Sequence, residues 1–347
     1  MKKILFIAVL ALLFSCKKTT PPTVLVQPKV YSFDTGQNSS LMFQDGESLA
    51  VYTSEARRLK ISSVLSIKAA TEKSIEISNF APVDLEDAIV LITIKGREKP
   101  IQLLKIKKIR AHGTQIINYP FVDGESNFID INGNVVDLSE YKTTGIPVAD
   151  VQFDFSGENT LIKKLKKLSV LKWDVRFADF DTDNNPNDSW KEDLTPADVR
   201  LFTGLLINYA YLMQDEGTKK EFLAEPISIN DDAEFLTLDE KQSTYQDILN
   251  INRINAGVVV GVNGLGGGST FGMAEWVLRT YLKEDISAVA VHELGHVVGY
   301  AHSSSMTYPR NGHGFMVACS RNYEKIANAN EFPITKDNYY KPADFID

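Results

Sequence analysis

The sequence predicts two domains in tandem: an antiparallel β-sandwich of immunoglobulin-like type over residues 31–160, then an α/β domain over residues 168–347. Three observations predict this. The chain has 347 residues, of which 44% are hydrophobic and 24% charged, ordinary globular material at a length that favours two domains over one. From about Tyr31 to Gly157, short alternating or β-branched runs recur between turn clusters. From Leu168 onward a strand-like run gives way to longer stretches of helical period.

The N-terminus comes first. Lys2 and Lys3 precede eleven apolar residues, Ile4 to Phe14, and then Ser15 and Cys16. This reads as a bacterial secretion signal over residues 1–15, because a permanent anchor needs about 20 apolar residues. Leu13-Phe14-Ser15-Cys16 resembles a lipoprotein cleavage box, and cleavage there would leave Cys16 lipidated. The other reading is an ordinary signal with an incidental cysteine. Residues 16–30, rich in threonine and proline, then form a tether that holds the domains off the membrane. The expected location is the bacterial cell envelope, at the outer membrane, facing the periplasm or the surface, with membrane contact through the lipid alone. Once Cys16 is acylated, Cys319 has no partner for an internal disulfide, so the fold must stand on its core.

In the first domain the runs L-K-I-S-S-V-L-S-I, S-I-E-I-S, A-I-V-L-I-T-I and T-Q-I-I-N-Y read as strands, separated by clusters such as Lys95 to Glu98 and Asn132 to Asn134. His112 stands alone there and reads as structural. A spacer, a substrate-binding module and an inhibitory pro-segment all fit this domain.

The second domain opens with S-V-L-K-W-D-V-R-F as its first strand. Thr195-Pro196-Ala197-Asp198 is a capped helix start, and the helix runs to about Gln214 with Val199, Phe202, Leu205, Leu206, Tyr209 and Leu212 on a core face. Between them, Asp179, Asp181 and Asp183 alternate as calcium-loop oxygens do. However, Asn184 stands where such a loop needs glycine and Trp190 where it needs a bidentate glutamate, so a solvated loop is expected. Gly257 to Val262 is an apolar run, followed by the glycine run Gly264 to Gly268, which matches neither a dinucleotide fingerprint nor a phosphate loop.

His292 to His302 reads H-E-L-G-H-V-V-G-Y-A-H and holds three of the five histidines. Residues four apart share a helix face, so His292 and His296 can offer two imidazoles to one ion. Ile286, Val289, Ala290, Leu294, Val297 and Val298 supply an apolar band for that helix. Gly299 is placed to end it in the left-handed region, letting the chain return with His302 as third ligand. Three nitrogens and one open tetrahedral position favour Zn2+. Glu293, on a neighbouring part of the helix surface, is suited to take a proton from water as general base.

This pattern is similar to that of the metzincin clan of zinc metallopeptidases, whose five defining positions match His292, Glu293, His296, Gly299 and His302. The resemblance implies an endopeptidase acting on a protein or peptide substrate, an antiparallel edge strand that pairs with extended substrate, and a methionine turn beneath the metal. Met306 in S-S-S-M-T-Y-P is the favoured turn residue and Met316 the second candidate. In the astacin-like branch a tyrosine two places after the methionine reaches toward the metal, which implies that Tyr308 polarises the intermediate. No cysteine lies between Cys16 and the histidine helix, so a cysteine-switch propeptide is excluded and an aspartate in that role is left open. A formal charge of −8 argues against a nucleic-acid partner. The alternative function is an envelope binding lipoprotein with an inactive metallopeptidase-like domain, against which the intact Glu293 and ligand histidines stand. Oligomeric state is left open.

Overall fold

Alternation of apolar and polar side chains organises the first half of the chain. Along strand Leu85–Ile94, Leu85, Ala88, Val90, Ile92 and Ile94 are buried. The structure, a computed structural model, describes residues 26–33, 39–181, 188–231, 233–282 and 287–346. Cys16, the signal segment and most of the tether therefore lie outside the described residues, as do Asp183, Asn184 and Ile286.

Two sheets form in residues 29–156. One runs Val135–Asp137, Asn127–Asp130, Ile101–Ile109, Leu85–Ile94, Val151–Ser156, and Lys29–Phe33 adds to Ile101–Ile109. The other runs Ser39–Leu41, Gly113–Asn118, Ser74–Asn79, Leu65–Thr71. Both are antiparallel except for Lys29–Phe33, which pairs parallel. A parallel neighbour requires a long connection rather than a hairpin, and the chain between these two strands supplies it.

The stretch Leu59 to Ile67, expected as one strand, is split between two sheets. Leu59–Lys60 pairs antiparallel with Asp174 and Val175 of the second half, a turn of 3-10 helix spans Ile61–Ser63, and Leu65–Thr71 returns to the first half. The reason is burial: Leu59, Ile61, Val64 and Leu65 are each no more than 1% exposed, so the bend fills the joint between halves. The boundary near residue 160 is thus crossed by the backbone. One cluster of buried apolar side chains runs through both halves, from Phe33 to Tyr339.

The second half is built on a five-stranded sheet in the order Gly264–Gly267, Thr270–Ala274, Ile254–Val259, Asp174–Phe177, Leu59–Lys60. Strand Asp174–Phe177 is shorter than the run that predicts it, because Leu168–Val170 is a 3-10 turn. Helix Pro196–Gln214 starts with a capping box in which Thr195 and Asp198 bond each other's backbone. It is buried on all sides from Asp198 to Met213, not on one face, which is how a helix at the centre of a core behaves.

One polar residue of that helix ties the halves together. Arg200, 1% exposed, donates from Nε and Nη2 to both carboxylate oxygens of Asp344 at 2.7 and 2.6 Å, and from Nη1 to Phe43 O and Asp45 Oδ1 at 2.7 and 2.8 Å. Lys341 also bonds Asp45. The lone histidine of the first half, His112, is fully buried at the same joint, edge-on to Phe43 and Tyr340 with ring centroids 5.1 and 5.5 Å away.

Candidate metal centre

Helix Ser287–Val297 carries His292 and His296 one turn apart. Gly299 has a φ of +96°, the left-handed value that ends a helix, and the chain beyond it brings His302 back. Ligand nitrogens of His292, His296 and His302 all lie within 4.8 Å of one another, and this is the one such group of metal-binding side chains among the described residues. Asp179 and Asp181 are not part of any such cluster. Asp181 is buried, and burial raises the pKa of Asp179, while the part of the loop that holds Asp183 lies outside the described residues.

Backbone carbonyls fix both helix histidines. His292 Nδ1 lies 2.8 Å from Thr307 O and His296 Nδ1 lies 2.7 Å from Tyr300 O. A carbonyl only accepts, so each Nδ1 is the protonated donor and each Nε2 presents a lone pair. The two Nε2 atoms stand 3.1 Å apart. Two lone pairs at that distance repel and share no proton, whereas ligands at about 2.0–2.1 Å from one tetrahedral zinc are separated by about 3.3 Å. The donor set therefore fits a zinc ion. Burial lowers the pKa of both histidines, which keeps them neutral and able to ligate. His302 is exposed, and Arg310 Nη2 holds its carbonyl at 2.8 Å while pairing with Asp231 at 3.1 Å.

Glu293 is 3% exposed, and burial lifts its pKa to about 7. Its Oε1 is 3.8 Å from His292 Nε2, and its Oε2 has no hydrogen-bond partner. It faces a cleft of about 720 Å3 whose walls include Leu265, Val289, Tyr308, Met316 and the three histidines. The Tyr308 ring, 48% exposed, lies 4.4 Å from the His292 ring and 5.1 Å from that of His302, centroid to centroid.

The two methionines occupy different places. Met306 is fully buried in the turn after His302, where Ser304 Oγ accepts from its N–H at 3.1 Å. Met316 lies in helix Phe315–Asn328, and its side chain lines the cleft.

Sequence reasoning missed Gly295. A Cβ there would be 2.4 Å from Met306 O, so a glycine in mid-helix is what lets the methionine turn pack against the histidine helix. The signal was available, since an interior helix glycine costs about 1 kcal/mol and calls for a packing reason. It also missed Glu225, 2% exposed, which takes His313 at 2.9 Å and Arg321 at 2.5 Å and so fastens the loop after Tyr308. These pairs lie 88 and 96 residues apart, with no local pattern to reveal them.

Compared with models of protein families, with curated proteins and with solved structures, the chain matches none. Among the described residues no helix is long and apolar enough to cross a membrane.

Proposed function

We propose that this protein is a zinc-dependent endopeptidase of metzincin type, with His292, His296 and His302 as ligands and Glu293 as general base. The observation that carries the reading is the pair of Nε2 lone pairs 3.1 Å apart, each forced inward by a carbonyl on its own Nδ1, beside a buried carboxylate. Bound zinc supplies a Lewis acid that polarises a scissile carbonyl and brings the pKa of a water near neutrality.

The chain's own groups do the rest. A buried carboxylate whose pKa sits near 7 can take a proton from water and later give it to the leaving amine. The Tyr308 ring packs beside His292 and His302 on the same cleft, and its hydroxyl is the group that would stabilise the oxygen that becomes negative. Strand Gly264–Gly267, at the end of its sheet among the described residues, offers its outer edge to an extended peptide. The lipoprotein signal at Cys16 supports an envelope location, which a Cys16→Ala variant tests by its loss from the membrane fraction.

Protein lacking residues 1–15 would be incubated with a diverse peptide library with zinc, with chelator, and as Glu293→Ala. One zinc per chain and cleavage that both chelator and Glu293→Ala abolish are expected. Stoichiometric zinc without any cleavage that depends on Glu293 refutes the reading.

A further inference from the structure

The glycine run holds two kinds of glycine. Gly267 and Gly268 have φ of +151° and +56°, and a Cβ on either would meet nothing within 4 Å, so they serve the turn. Gly264 and Gly266 have no such backbone need and yet no room. A Cβ at Gly264 would stand 2.4 Å from Glu293 Oε1 and 2.8 Å from its Cδ and Cγ. At Gly266 it would stand 2.5 Å from Glu293 Oε2 and 2.9 Å from both Glu293 O and the His296 Cβ. Residues two apart on a strand face the same side, so the pair presents a wall of bare backbone to the carboxylate.

We infer that Gly264 and Gly266 are positioning residues for the general base, an inference that rests on the reading of Glu293 proposed above. A glutamate has three rotatable bonds, and no hydrogen bond holds Oε2. Packing against the strand is what keeps the carboxylate turned toward the histidines. The three atoms nearest a methyl group at 264 all belong to the Glu293 side chain, which can swing, so the substitution moves the base before it reaches the ligands. A methyl group at 266 also meets backbone and His296, so it disturbs the metal site as well.

The test uses Gly264→Ala, Glu293→Ala and their combination in the full chain. Gly264→Ala should keep one zinc per chain and a KM within about twofold of the parent. Its kcat should fall on the order of 10²-fold, the low end of what general-base catalysis contributes. Independently of turnover, Gly264→Ala should lower the Tm of the parent and leave that of Glu293→Ala unchanged, because the atoms it strikes are then gone. An unchanged kcat, a loss confined to KM, or equal Tm losses in both backgrounds overturns the assignment. If the parent cleaves nothing, the hydrolase reading falls, and the thermal cycle alone decides whether this wall seats the carboxylate.

Discussion

Replacing Arg200 by methionine should destabilise the whole protein, not just the half that contains it. The guanidinium is 1% exposed and makes four hydrogen bonds, two to the buried carboxylate of Asp344, one to Phe43 O and one to Asp45. Methionine fills a similar volume and leaves Asp344, 4% exposed, without its cation. Breaking a buried pair in this way costs about 3–5 kcal/mol, since the uncompensated charge stays in the core. At roughly 1.4 °C per kcal/mol for a chain of this length, Tm should fall by about 4–7 °C. Differential scanning calorimetry would follow it, and Arg200→Met/Asp344→Asn should recover part of the loss by removing the stranded charge. The continuous core and the strand crossing at Leu59–Lys60 require one transition that moves as a unit. Two separate transitions, with only one shifted by the substitution, would refute the view that the halves share a core.

Three further outcomes are expected. Gly295→Ala puts a methyl group 2.4 Å from a backbone oxygen that cannot swing aside, so it should cost about 1–3 kcal/mol and weaken zinc retention in equilibrium dialysis. Zinc at a hundred times its dissociation constant should stabilise the parent by about 2.7 kcal/mol, and a chelator should reverse this in a thermal melt; His292→Ala should show no such shift. His112 has its pKa lowered to about 3 by burial and the nearby Arg200 charge, against 6.5 for the free side chain. The unfolded chain therefore takes up a proton below about pH 6.5 that the folded chain refuses until about pH 3. This residue's contribution is complete above that window and is lost as pH falls through it, by about 1.4 kcal/mol per pH unit. Urea titrations at falling pH should show His112→Asn, a residue that tolerates the φ of +52°, losing stability less steeply than the parent.

The candidate site was legible because its geometry is local. Spacings of four and three residues on one helix, and a glycine that ends it, need no distant partner to be understood. What stayed hidden depends on packing between remote segments. A two-residue strand such as Leu59–Lys60 has no period to detect, and its partner Asp174 is more than a hundred residues away. Helix Pro196–Gln214 looks one-sided in sequence because Thr203, Asn208 and Arg200 read as polar, yet each finds a buried acceptor. Gly264 and Gly266 stand out in sequence only as part of a glycine run, because only the placement of Glu293 explains why they carry no side chain.

The Arg200 cluster also bears on when the molecule becomes complete. Asp45 leaves the ribosome well before Arg200, and Asp344 follows Arg200 by 144 residues. Until Asp344 arrives, Arg200 has only the Phe43 carbonyl and the exposed carboxylate of Asp45 as partners, so closing the core over it would strand a poorly compensated charge. The histidine helix is thus delivered before the last stitch that steadies the fold beneath it. A chain that stops short of Asp344 would carry its three histidines on a scaffold that has not yet set.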